Sequence, residues 1–438
     1  DVGDDHSFMH DMVSTDKNHP TVNAGGRVYA VNAGHGSLVV LDPRENSTIS
    51  YEIPTREDRA KVPSRFPAPN RPSNFWGMEH LWANPPYNPA DPHNPMIDSK
   101  GRVWMTSKIR PNADPAWCQD PNNKYAAWFP LRTSGRQAAF FEHATKKFTL
   151  INTKVYDQTK DEKQAVGWCG QVLDTNGDGK ITRGPDPQKP WNTYVPARGG
   201  EDLLYSSDTG GTPAPGARGP QLRTSAVMDP KLDTLVSYSM YGLVPSPVDD
   251  SVWGVSETFP GYLIRLQRGN NPPETCKTTV FKVPEGGIDP RGLDIGTDGV
   301  VWTALAASSH LASFDVRKCK DLNGPAKVDG SQCREGWTLH QTDGPKLKGT
   351  NIPADFHYYA WVDQHNISGL GVNTPFATGS NSDSLIALDQ KTNQFVYFKV
   401  PYPLGFYMRG MDARIDDPRP NAGWRGKALY SNYGTHFV

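Results

Sequence analysis

The sequence predicts an all-β chain, a single seven-bladed β-propeller covering residues 1–438 with long rim loops. Three observations carry this. Gly (41) and Pro (39) are both abundant and aromatics make up 10% of the chain, the mixture of many short strands joined by tight turns. Helical periodicity is missing over every long window. Short strand patterns also recur in a fixed order along the chain, the mark of a repeat architecture.

The first repeated element is a Gly-led turn running into a β-branched and aromatic strand. It reads GRVYAV at 26–31, GRVWMT at 101–106 and GVVWTA at 299–304. The second is an alternating strand closing on Asp, at 37–42 (SLVVLD), 310–315 (HLASFD) and 384–389 (SLIALD); 262–266 and 138–142 fill the same slot. The third is an outer strand ending at Pro, at 49–54, 280–284 and 396–401. Inner strand, turn, middle strands and outer strand is the order of a propeller blade, which buries its two faces by stacking on its neighbours. Seven blades in this length give about 60 residues each, enough for long loops. Insertions near 55–95, 107–136 and 183–222 are expected to project from one rim, where binding function concentrates. One break stands out: the run 147–151 passes directly into 152–156, which reads like the end of a different blade. That junction is either a degenerate blade or a place where an inner strand is missing between Ile151 and Asn152.

Composition removes several functions. Lys plus Arg (46) nearly balance Asp plus Glu (47), so no nucleic acid or anionic membrane partner is implied. No apolar run approaches the roughly 18 residues of a membrane helix. The first residues hold no signal-peptide core, which predicts a cytosolic or already processed chain. The five cysteines, at 118, 169, 276, 319 and 333, lack the spacing of zinc knuckles or covalent haem. Cys319 and Cys333 bracket a Gly/Pro-containing loop, which favours one or two disulfides and a periplasmic or secreted location over reduced thiols. Nucleophile-elbow, phosphate-loop, dinucleotide and HExxH motifs are all missing.

Residues 174–182 (DTNGDGKIT) are the most specific local motif. Oxygen ligands from Asp174, Asn176 and Asp178, the carbonyl of Lys180, and Gly at the sixth position fit a structural calcium loop. The twelfth position is Pro185, so a more distant carboxylate must complete the shell. The competing reading is a plain Asn/Gly turn.

The inner strands of a propeller begin beside its axis, so their first residues converge. Those starts hold His93, Arg291, His357 with Tyr358, and Arg409. A polar, cationic funnel of this kind suits an anionic small-molecule substrate or a metal. His93 or His357 would be a general base, Arg291 and Arg409 would hold an anion, and Tyr358 would donate a proton or form a platform. His35, His310 and His365 fall near the same mouth. With His93 and His357 they could form a multi-His copper centre served by a redox partner. Taken singly, each histidine also reads as a structural, hydrogen-bonded residue.

The stretch 93–106, from His93 through Trp104 and Thr106, resembles the blade signature of streptogramin (virginiamycin B) lyase-like proteins, and 291–303 repeats it. The resemblance is closest to larger exported bacterial members of that family. It implies a seven-bladed propeller and, through the lyase itself, a magnesium-dependent elimination that opens a cyclic depsipeptide with a His base. The long insertions depart from the compact lyase, and fold does not fix function. Three functions are therefore expected to compete: a metal-dependent lyase-like enzyme acting on a polar or anionic small substrate at the axis, a copper oxidoreductase, and a non-catalytic binding scaffold.

Overall fold

The structure is a computed structural model. It describes residues 11–13, 26–32, 36–54, 72–73, 77–81, 90, 92–107, 136–149, 172–182, 184–186, 191–194, 225–236, 240–249, 251–256, 260–267, 269–270, 275–322, 328–401, 411–414 and 428–431.

Four sheets have the separate four-stranded form of a blade, each drawn from one stretch of chain. The first is β1 (Asp11–Val13), β2 (Val28–Asn32), β3 (Ser37–Asp42) and β4 (Ser47–Glu52). A two-stranded ribbon, β5 (Pro72–Ser73) with β6 (Gly77–Leu81), precedes the second blade. That blade is β7 (His93–Ile97), β8 (Arg102–Ser107), β9 (Gln137–Glu142) and β10 (Lys147–Thr149). The others are β18 (Pro290–Ile295), β19 (Val301–Leu305), β20 (His310–Phe314) and β21 (Trp337–Gln341), then β22 (Ala360–Asp363), β23 (Thr374–Gly379), β24 (Ser384–Asp389) and β25 (Gln394–Lys399). A fifth antiparallel run, β14 (Leu243–Pro245), β15 (Ser251–Ser256), β16 (Tyr262–Gln267) and β17 (Lys277–Lys282), belongs to a seven-stranded sheet. There β11 (Val172–Leu173) pairs in parallel with the outer edge of β17, and β13 (Thr234–Val236) and β12 (Asn192–Tyr194) continue the sheet. The ribbon of β26 (Met411–Arg414) and β27 (Ala428–Ser431) is the last sheet.

The all-β propeller form follows from this pairing. The expectation of seven like blades is corrected: among the described residues four sheets are separate four-stranded blades. Among the described residues, the short strands β11, β12 and β13 form no separate sheet and instead extend the edge of the β14–β17 run. The junction at Ile151–Asn152 and most of the three insertions lie outside the described residues.

The inner strands succeed one another around a ring. β1 lies beside β7, β7 beside β14, β14 beside β18, β18 beside β22, β22 beside β26, and β26 beside β1. Burial follows from the ring. Middle strands such as β15 and β19 are buried at every residue, because neighbouring blades cover both faces and a strict apolar/polar alternation is lost. The outermost strands β4 and β25 are mixed or exposed. Between the β14–β17 run and the next blade, Phe281 and Phe314 approach to 4.5 Å between ring centroids, with Trp253 stacked on Phe281 at 5.9 Å and Trp337 at 5.0 Å from Phe314. Rings at such spacings add to burial as edge-to-face or offset pairs.

Candidate functional site

Two glycines set how closely the inner strands approach. A Cβ on Gly242 would lie 2.5 Å from the carbonyl oxygen of Arg291, and one on Gly292 would lie 2.7 Å from backbone atoms of Tyr359 and Ala360. Only glycine allows one strand start to lie directly on the next. The amide of Gly292 donates to the carbonyl of Tyr358 at 3.1 Å, which joins two successive blades at this level. Threonines on second strands hold the same starts. Thr106 donates towards the carbonyls of His93 and Tyr241, and Thr303 towards that of Gly292. The hydroxyl oxygen of Thr378 accepts from the amides of Tyr358 and Tyr359 at 2.8 and 3.2 Å.

Side chains from these starts meet around Tyr241. The His93 imidazole lies tilted against the Tyr241 ring at 4.8 Å between centroids. Tyr241 and Tyr358 are edge to face at 6.1 Å and their hydroxyls are hydrogen-bonded. The Arg291 guanidinium sits over the rings of Tyr358, Phe356 and Tyr241 at 5.2, 5.4 and 5.8 Å, while its Nε donates to Asp289 at 3.0 Å. Arg136 faces the Tyr241 ring at 5.5 Å. All are buried: His93 is 5% exposed, Arg136 7% and Arg291 8%. Among the described residues, two guanidiniums, Arg136 and Arg291, and the carboxylate of Asp289 border these rings. Burial strengthens such charges towards an anion, and the ring faces attract the cations that hold them in place.

Of the residues read from the sequence, the structure therefore brings together His93, Arg291 and Tyr358. Arg409 and His35 lie outside the described residues. His357, read from the sequence as a candidate base, is engaged by other partners. Its ring is fully buried between blades, with Nδ1 2.7 Å from the Thr378 carbonyl and Nε2 2.9 Å from the Thr342 hydroxyl. His357 and Tyr358 are consecutive residues of the segment before β22, and their side chains reach different partners. His310 is near His357 in the same boundary, and burial lowers its pKa. His365 lies in a turn whose amides at 365, 367 and 368 donate to Asp363, and burial lowers its pKa too. Among the described residues no three His, Cys, Asp or Glu side chains come together as metal ligands. The multi-His copper centre is thus not assembled from His93, His310, His357 and His365. The carboxylate described beside these rings, Asp289, pairs with Arg291.

Residues 174–182 fold as a tight polar turn. Asp174 accepts from the amides of Gly177 and Gly179, Asn176 from that of Asp178, and Asp178 from that of Lys180. Asp233, preceding β13, reaches across to accept from the amides of Thr175, Asn176 and Thr182. It is fully buried, and burial together with the charge of Asp174 raises its pKa. The side-chain and carbonyl donors are all oxygen, which suits a hard cation, while the Lys180 and Lys277 ammonium groups lie at the same turn.

Sequence reasoning missed Tyr241, Arg136 and Asp233. Tyr241 had a signal: Tyr241-Gly242-Leu243 occupies the slot of Arg291-Gly292-Leu293 and Arg409-Gly410-Met411. Arg136 and Asp233 had none, since each arrives from a segment that shows no repeat.

The cysteines pair as expected at 319 and 333, and Cys276 is disulfide-bonded as well. No helix among the described residues is long and apolar enough to cross a membrane.

No family model and no curated protein matches the chain. Solved structures of similar form include virginiamycin B lyase from Staphylococcus aureus in a catalytically inactive form with quinupristin. It is 9% identical with TM-score 0.41, and 94% of this chain covers 75% of that one. A putative gluconolactonase is 8% identical with TM-score 0.39, over 95% and 84%. The major allergen Mala s 1 of Malassezia sympodialis is 10% identical with TM-score 0.40, over 97% and 90%. The streptogramin-lyase proteins whose blade signature the sequence resembles are thus among its structural neighbours.

Proposed function

We propose that the chain is an exported, lyase-like propeller enzyme acting on a polar or anionic small molecule at the axis. The observation that carries this is the convergence of His93, Tyr241, Arg291 and Tyr358 from four successive strand starts. In this reading His93 removes a proton from a carbon beside a carbonyl. The C–H electrons form a carbon–carbon double bond, and the adjacent carbon–oxygen bond breaks to release a carboxylate. Arg291, with Arg136 behind Tyr241, accepts that negative charge, and the paired phenols donate towards it. No step is routed through a metal. The disulfides support an oxidising compartment, hence export. The oxygen-lined turn at 174–182 is proposed as a calcium staple, with Asp233 as the carboxylate that the motif lacks at its twelfth position.

The test is turnover of cyclic esters, quinupristin among them, followed by mass spectrometry with and without added magnesium. Elimination leaves the mass unchanged, whereas hydrolysis adds one water. Ring opening that His93→Gln abolishes supports the reading. Binding without turnover would make the chain a scaffold, and turnover indifferent to both His93→Gln and Arg291→Lys would move the reaction elsewhere.

A further inference from the structure

We infer that His357 is a positioning residue: as a neutral imidazole it clamps the strand start bearing Tyr358 onto β23, and so makes the axial aromatic cluster sensitive to acid. The clamp is a matter of geometry, and only its consequence for turnover rests on the axial reading above.

The tautomer follows from the partners. A carbonyl only accepts, so Nδ1 donates to Thr378 at 2.7 Å; in the neutral ring Nε2 then accepts from the Thr342 hydroxyl at 2.9 Å, a hydroxyl that also lies 3.3 Å from the Ser309 carbonyl. Thr378 also takes the amides of Tyr358 and Tyr359 on its hydroxyl. One residue of β23 thus holds three successive residues of the strand start, and the imidazole supplies the side-chain part of the grip. Tyr358 leaves that start towards the axis, where its hydroxyl meets Tyr241 and its ring meets Arg291. Displacing the grip displaces the phenol.

The pocket around His357 does not welcome charge. The residue is 0% exposed, and burial is the largest cause lowering its pKa. Asp355, on its own segment, opposes that shift. Asp355 is itself committed, accepting from the amides of Asn381 and Ser382 and the Ser382 hydroxyl. From β20, His310 lies near enough for each imidazolium to disfavour the other, and His340 on β21 adds to this. From β18, Arg291 brings a further positive charge over the adjacent Phe356 and Tyr358. An imidazolium at this position would have to loosen the packing to reach water.

Near-ultraviolet circular dichroism of the full chain, recorded from pH 8 down to about pH 3, tests this without any substrate. Because burial lowers the His357 pKa, the aromatic signal is expected to hold through the ordinary imidazole range near about 6.5 and to fall only at lower pH, before the far-ultraviolet signal changes. His357→Asn keeps an N–H that can reach the Thr378 carbonyl and has nothing to titrate, so its aromatic signal should hold to a lower pH. Tyr358→Phe should reduce the amplitude of the wild-type transition, which keeps the test decisive if the Asn variant does not fold. An Asn variant that follows the wild-type acid course, or a Tyr358→Phe protein with the full transition, overturns the clamp. A clean transition in a protein that turns over no cyclic ester would sink the axial chemistry and leave the clamp standing. Turnover that depends on His93 with no aromatic transition would do the reverse.

Discussion

His93 and Arg291 are placed to act at different moments, which separates their variants. His93→Gln should lower kcat by about 100-fold or more while leaving KM nearly unchanged, the signature of a lost base. Arg291→Lys keeps the charge but not the planar fork, and should raise KM as well as lower kcat, both read from steady-state turnover of a cyclic ester. Gly292→Ala is a stability test. With backbone atoms 2.7 Å from the new Cβ, it should cost about 1–3 kcal/mol by overpacking, measured by urea denaturation. At this scale the sequence was partly transparent. His93, Arg291 and Tyr358 were legible because they open repeated strands at one slot, and slot equivalence becomes nearness at the axis. Tyr241 shared that slot through Gly242 and Leu243, but its strand was not recognised as a repeat. The partners of His357 were not legible, because Thr342 and Thr378 come from other elements that only the fold brings to it.

At the level of single elements, the turn at 174–182 and the loop closed by Cys319–Cys333 make separate predictions. Burial raises the Asp233 pKa with Asp174 adding to it, so its ionised form weakens the fold at neutral pH unless a cation offsets the charge. Calcium is therefore expected to raise the melting temperature relative to a chelator, and Asp174→Asn or Asp233→Asn should remove most of that difference in a thermal scan. An equal calcium response in both variants would leave the plain turn as the better reading. The disulfide closes a separation of 14 residues. Replacing both cysteines with serine should cost about 3 kcal/mol if the closed loop acts on the unfolded chain, seen in denaturation with and without reductant. The calcium motif was readable because its ligands are consecutive. Asp233, a third carboxylate beside Asp174 and Asp178, was not, because it comes from more than fifty residues away and strand pairing between β11 and β13 brings it in.

Across the whole molecule, the buried histidines give stability a pH slope. His143, His310, His340, His357 and His365 all have lowered pKa values with burial as the largest cause, His143 to about 4. Each stays neutral in the fold and titrates near 6.5 when unfolded. Their contribution is complete above about pH 6.5 and is lost as pH falls from there towards the folded values. The urea midpoint should thus drop between pH 7.5 and pH 5, and a flat profile would contradict the burial. The propeller class was legible because every blade repeats the same strand grammar. The arrangement of the sheets was not, since β11, β12 and β13 join the edge of another sheet, a choice made by pairing partners rather than by local pattern. The ring closes where β1 and β26 meet side by side, two strands far apart in the chain. As at the ring's other joints, the strands that meet belong to different sheets and no described ladder crosses between them; here, in addition, no short connection ties the two together, so its opening costs packing without breaking a hydrogen-bonded register. Native-state hydrogen exchange should accordingly find the amides of β26 and β27 opening through a sub-global event while those of β18–β20 wait for complete unfolding.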